Sequence, residues 1–211
     1  MSNTQKKITI GLWVAVVLAG AGLVTMLALS AQRTPPDTPS TGAQTAKLET
    51  LYDVPSFELT DQDGKPFGKK DLNGKIWIAA FVFTHCAGPC PRMTSKMAAL
   101  QKEIARPDVS FLSFTVDPER DTPGVLKKYA SQFGADELRW KFLTGSKEAM
   151  HDVAAGMKVA AADATGDQPI THSTFFLLID RNAKIVGAYG NSNPDEMKRL
   201  ATDATQLAMK P

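Results

Sequence analysis

The chain has 211 residues, 43% hydrophobic and 22% charged, with 15 Gly and 13 Pro. That is an ordinary globular composition, which excludes disordered, collagen-like and disulfide-dense classes. Its formal net charge of +2, from 24 basic and 22 acidic side chains, excludes a strongly basic nucleic-acid binder.

The small positive excess is local. Residues 1–47 carry Lys6, Lys7, Arg33 and Lys47 against Asp37 alone, so the remainder is slightly acidic. No charged residue lies between Lys7 and Arg33, and Ile8 to Gln32 is dense in Leu, Val, Ala, Ile and Met. As a helix rising about 1.5 Å per residue, this run would span roughly 37 Å, enough for a hydrocarbon core of about 30 Å with some tilt. Trp13 suits an interface, and Lys6 and Lys7 predict a cytoplasmic N-terminus. A cleaved signal peptide is the rival reading, since Ala28-Leu29-Ser30 resembles a cleavage site. The run exceeds the usual apolar region of about 7–15 residues, which favours an uncleaved anchor. The expected order is therefore a cytoplasmic tail over 1–7, a transmembrane helix over 8–32, a tether over 33–47 and a folded domain over 48–211. The tether, with Pro35, Pro36 and Pro39 and no long apolar side chain, cannot build a core. An arm that is not Arg-rich and amphipathic favours a bacterial inner membrane over a mitochondrial presequence.

Within the domain, Phe57 to Thr60 alternates like a half-buried strand and runs into an Asp63-Gly64 turn. Ile76 to Phe83 is continuously apolar, as expected of a central strand buried on both faces. Pro91 is expected to open a helix to about Ala105, with Met93, Met97, Leu100 and Ile104 at helical spacing. That spacing assigns Met93 and Met97 to gap-filling in the core. Val109 to Val116 reads as a second buried strand. Thr122 and Pro123 begin a helix ending near Gly134. Lys141 to Thr144 is a short strand, and Ser146 to Ala155 a helix on which His151 is exposed. Ser173 to Ile179 and Ile185 to Tyr189 form a hairpin around Asp180-Arg181-Asn182, and Asn193-Pro194 starts the last helix. Strands interleaved with helices predict an α/β fold, and the closing hairpin makes its sheet mixed.

The only two cysteines, Cys86 and Cys90, fall where the buried strand gives way to the next helix, a place where ligands collect in α/β sheets. With Pro91 as the first helical residue, Cys90 becomes the N-cap. The helix terminus is then expected to lower a thiol pKa and populate thiolate, which is both nucleophile and soft metal ligand. A disulfide between residues so close in sequence would constrain the unfolded chain little, so its placement at a helix mouth points to redox or metal work rather than stabilisation. Two thiolates do not choose between these, and a third group would. His172 lies just before a strand, and a sulfur–sulfur–nitrogen set suits copper or zinc. His85 adjoins Cys86, but alternation along a continuing strand points its side chain the other way.

Three stretches, in order, resemble the Sco/SenC family of copper-binding proteins for cytochrome c oxidase assembly. They are Phe83-Thr84-His85-Cys86 through Cys90-Pro91, Thr115-Val116-Asp117-Pro118-Glu119-Arg120-Asp121-Thr122-Pro123, and Ile170-Thr171-His172-Ser173 leading into a strand and Asp180. The resemblance implies a thioredoxin-like mixed sheet flanked by helices, and a copper ion bound by Cys86, Cys90 and His172. Asp117 matches an acidic residue near the family's site. It is expected either to modulate the metal and thiol chemistry or simply to shape its Asp-Pro turn. The chain departs from the family between the cysteines, where Ala87-Gly88-Pro89 lacks the usual acid. Losing a nearby negative charge should ease thiolate formation.

The function so implied is a membrane-anchored copper chaperone, facing the periplasm, that loads an apo cytochrome c oxidase subunit during assembly. Other periplasmic copper chaperones or thioredoxin-like reductases are expected as further partners. The alternative is a thiol–disulfide oxidoreductase in which Cys86 and Cys90 are the catalytic redox pair. His172 separates the two, because metal binding needs it and thiol exchange does not.

Overall fold

The computed structural model describes residues 51–159, 161–162, 171–172 and 174–210. The expected anchor over 8–32 and tether over 33–47 lie outside them. Among the described residues no helix is long and apolar enough to cross a membrane.

The described residues include ten strands: β1 (Tyr52–Asp53), β2 (Glu58–Asp61), β3 (Pro66–Gly68), β4 (Ile76–Val82), β5 (Val109–Thr115), β6 (Trp140–Thr144), β7 (Ala161–Ala162), β8 (Thr171–His172), β9 (Phe175–Ile179) and β10 (Lys184–Gly190). The helices are α1 (Pro89–Glu103), α2 (Pro123–Gln132), α3 (Lys147–Gly156) and α4 (Pro194–Met209), with a short 3-10 turn at Lys69–Leu72. Eight strands form one sheet in the order β1-β10-β9-β4-β5-β6-β2-β3, and β7 pairs with β8 apart from it. The β4–β5 and β5–β6 pairs are parallel, whereas β9, β10, β1, β2 and β3 join antiparallel. The sheet is therefore mixed, as the closing hairpin predicted. The β4–α1–β5 crossover beside the β9–β10 hairpin and α4 is the arrangement expected of a thioredoxin-like domain.

All seven residues of β4 and all seven of β5 are buried, because both strands are covered on both faces. Alternation along β4 divides the core. Ile76, Ile78, Ala80 and Val82 pack with Met93 and Met97 of α1, Leu126 of α2 and Leu200 of α4. Trp77, Ala79 and Phe81 pack with Met150 and Val153 of α3 on the opposite face. Met93 and Met97 are thus core residues, as their spacing indicated.

Chain signals mark most helix ends as expected. Ser146 accepts from the Ala149 N–H at the start of α3, and Asn193 from Asp195 N–H before Pro194 of α4. Gly134 supplies the positive φ of 64° that stops α2. Thr122 holds the cap position of α2, but its side chain makes no capping hydrogen bond.

Candidate metal and thiol site

The parallel strands β4 and β5 both point their C-terminal ends at one edge of the sheet, and the cysteines leave from that edge. After β4, Thr84 and His85 lead into Cys86. Gly88 is the N-cap of α1, and Pro89 its first residue. This corrects the expected helix start. Both Pro89 and Pro91 fall in the first turn, where N–H groups have no intrahelical acceptor, so either proline fits there. Cys90 is consequently inside the first turn rather than at the cap.

The two thiols differ sharply. Cys86 is half-buried, whereas Cys90 is fully buried against the core. They approach closely enough for a thiol–thiol hydrogen bond, and both are reduced. Burial pushes the Cys90 thiol up from 9.0 to about 12, with Cys86 and the negative charge of Asp121 acting in the same direction. The Phe83 backbone hydrogen bond opposes this. The expectation that the helix terminus would populate thiolate at Cys90 is therefore corrected: desolvation outweighs the terminus. A cation arriving at the pair would reverse that balance by supplying the missing positive charge.

Beneath Cys90 lies a buried hydroxyl pair. Thr94 Oγ1 donates to the Cys90 carbonyl (2.9 Å) and lies 3.0 Å from the Tyr129 hydroxyl. Burial, reinforced by the nearby cysteines, holds the Tyr129 phenol up at about 12. Behind Cys86 stands Asp121, whose carboxylate is wholly buried. It accepts from the Thr84 N–H (3.1 Å), from the Thr84 hydroxyl and from the Thr115 hydroxyl (2.6 Å). Thr84 Oγ1 also lies 3.1 Å from Nδ1 of the exposed His85. In the sequence Asp121 stands out only as a member of the stretch that ends in Thr122 and Pro123, next to a helix start. The available signal was a threonine at the end of each strand, Thr84 after the apolar run to Phe83 and Thr115 closing β5.

Asp117 is 7% exposed, in the turn after β5. Its Oδ2 lies 3.6 Å from the Arg120 guanidinium yet makes no hydrogen bond among the described residues. Burial raises its pKa, opposed first by Arg120, with His85 also lowering it. Its backbone supports the turn: Asp117 N–H donates to Thr115 Oγ1 (2.9 Å), and its carbonyl accepts from Asp121 N–H (2.9 Å).

His172 is not in a loop, as the sequence suggested, but in the two-residue strand β8, where it is the register partner of Ala161. That ladder immediately precedes β9. The antiparallel register of β9 on β4, with Trp77 opposite Ile179 and Ala79 opposite Leu177, brings the start of β9 to the end of β4. His172 itself stands three residues before the first residue of β9. Among the described residues no group of three or more His, Cys, Asp and Glu side chains is already gathered for a metal. The donors brought together are the two sulfurs, a soft pair that fits Cu(I).

Comparison with known proteins agrees with this architecture. Residues 45–208 match the SCO1/SenC family model. A SCO1 protein homolog from Bacillus subtilis is 36% identical over 152 residues, covering 70% of this chain and 79% of that protein. The structure of BsSco, a member of the Sco family of cytochrome c oxidase assembly proteins in which a disulfide switch was identified, superposes with a TM-score of 0.68. It is 32% identical, over 77% of this chain and 98% of that one. Bradyrhizobium japonicum ScoI with copper bound gives a TM-score of 0.63 at 28% identity, over 74% and 99% of the two chains. The paired cysteines at the mouth of α1, the sheet that carries them and these matches together show that the chain belongs to the SCO1/SenC family.

Proposed function

We propose that this protein carries copper as cargo on Cys86, Cys90 and His172 and delivers it to an apo cytochrome c oxidase subunit during assembly of the oxidase. The observation that carries this reading is the reduced sulfur pair, with one thiol reachable and the other buried. Two adjacent thiols suit Cu(I), and the imidazole of His172 as a third ligand would extend the set toward Cu(II). Binding displaces the thiol protons, so the neutral pair is a resting state that a metal, rather than pH, converts to thiolates. Cys86, the half-buried member, is where an incoming thiolate of the acceptor would enter, and Cys90 the ligand released last. The copper-bound structure of a relative supports the cargo, and the family's assignment to oxidase assembly supports the acceptor.

In this reading Ile8 to Gln32 anchors the chain in the bacterial cytoplasmic membrane with the domain in the periplasm. There a tether raises the effective concentration against an acceptor on the same membrane. The test uses the full chain in mild detergent, titrated with Cu(I) under a competing chelator. The reduced protein should take one copper, and the protein oxidised to a Cys86–Cys90 disulfide should take none. Tight stoichiometric copper on the oxidised chain would defeat the proposal.

One observation favours a second role. The sulfurs are within hydrogen-bond distance of each other, so the pair is set for a reversible disulfide and for reducing a partner's cysteines through a mixed disulfide at Cys86.

A further inference from the structure

Asp121 is fully buried, and an ionised carboxylate can only accept hydrogen bonds. Its three donors come from two places in the chain. Thr84 N–H and the Thr84 hydroxyl belong to the segment between β4 and Cys86, and the Thr115 hydroxyl to the end of β5. Thr115 Oγ1 in turn receives Asp117 N–H, and Asp121 N–H returns to the Asp117 carbonyl. A helix start requires none of this, since Thr122 occupies the cap of α2 and neither residue's side chain caps the helix.

Downstream of Thr84 the backbone of the loop is lightly held, although the Cys86 side chain packs on the core and meets the Cys90 thiol. Cys86 N–H meets the Phe83 carbonyl at 3.4 Å, a long bond, and Gly88 faces open space. The strong restraint on the approach to Cys86 is therefore the Asp121–Thr84 contact.

We propose that Asp121 is a positioning residue: through Thr84 it fixes the height at which β4 hands over to the Cys86 loop, and so sets Cys86 against Cys90. Its charge is a second feature, and the two are separable. Asn at this position keeps an oxygen for Thr84 N–H and the Thr115 hydroxyl and offers an amide N–H to the Thr84 hydroxyl. Asp121→Asn thus retains the geometry without the charge, Asp121→Ala loses both, and Thr84→Val keeps the charge and the backbone N–H bond but removes the hydroxyl bond that ties the loop segment to the carboxylate.

Two readouts report the positioning in the full chain in detergent. One is the equilibrium with glutathione disulfide, in which the two thiols lose two electrons and two protons, one protein disulfide forms and two glutathione thiols are released. The other is the Cu(II)–thiolate absorption band, which rests on the copper-carrying reading. Thr84→Val and Asp121→Ala should each shift the glutathione equilibrium about 10-fold or more and move the band, the scale of losing support behind a ligand. Asp121→Asn should stay within about threefold of wild type, well below that range. A folded Thr84→Val protein with wild-type equilibrium and spectrum would overturn the proposal, as would an Asn variant displaced as far as Ala. A wild-type chain with no copper band would defeat the copper reading alone, leaving the glutathione equilibrium to decide the positioning.

Discussion

The asymmetry between the two thiols makes a quantitative prediction. Cys90 is wholly buried, and its pKa is raised from 9.0 to about 12. That rise lowers the thiolate population at neutral pH by about 1,000-fold relative to an ordinary cysteine. A more basic thiolate is also more nucleophilic, and a Brønsted slope of about 0.4–0.5 restores roughly 15–30-fold. The net slowing is about 30–60-fold before any steric shielding is counted. We predict that iodoacetamide, applied to the reduced full chain at pH 7.5, alkylates Cys90 at least that much more slowly than a cysteine in an unstructured peptide. Cys86, being half-buried, should be the thiol modified first. Quenched time points, digestion and peptide mass spectrometry measure both rates in one sample. Alkylation of Cys90 at the peptide rate in the folded protein would refute the reasoning, because it would mean that the helix terminus and the Phe83 amide outweigh desolvation.

Asp117 supplies a test by pH. Burial raises its carboxyl pKa, so the folded chain holds that proton more tightly than the unfolded one, and stability is lost as pH rises from the unfolded value through the folded one. Asp117→Asn should therefore melt above wild type at pH 7, with the gap closing below about pH 4, where both states of wild type are protonated; an equal or lower melting temperature at pH 7 would show that the Arg120 contact outweighs burial. Gly187 tests the packing of β10: an added Cβ would lie 2.6 Å from Tyr189 Cε2 and 2.7 Å from its hydroxyl, on a ring that is fully buried and bonded to Asp203. Gly187→Ala should destabilise the domain by about 1–3 kcal/mol in urea unfolding without altering the cysteine chemistry.

What the sequence made legible was whatever is written in local pattern. β4 announced itself as an unbroken apolar run because both its faces are covered, β5 as an apolar-rich run interrupted by Ser110 and Ser113, and α4 because Asn193 and Pro194 both suit a helix start. Strands β1, β3, β7 and β8 left no such trace. Each has two or three residues, too few for a pattern, and each exists through its pairing, locally for β3 on β2 and at a distance for Tyr52 on Ile185. The start of α1 was ambiguous for a definite reason, since two prolines both fit the first turn. The site divided along the same line. The cysteines were legible by spacing and place, whereas the protonation of Cys90 was not, because it depends on how deeply α1 seats that sulfur. Asp121 was misjudged for a related reason. Its role comes from donors on two other segments, and a motif that also reads as a helix start conceals it.

The account rests on two sulfurs and one imidazole sharing a metal, and of these His172 is placed by its backbone alone. The decisive measurement is copper titration of the reduced full chain, wild type beside His172→Ala, with affinity read by chelator competition and ligation by the Cu(II)–thiolate spectrum. Circular dichroism and Cys86–Cys90 oxidation serve as controls, and both should be preserved, because β8 lies outside the main sheet and neither sulfur is removed. If His172 completes the site, the variant should bind copper at least about 10–100-fold more weakly, the range found when even the partners of metal ligands are lost, and its spectrum should change. Unchanged affinity and spectrum in a folded variant would contradict the three-ligand site and leave the Cys86–Cys90 pair as a thiol–disulfide centre.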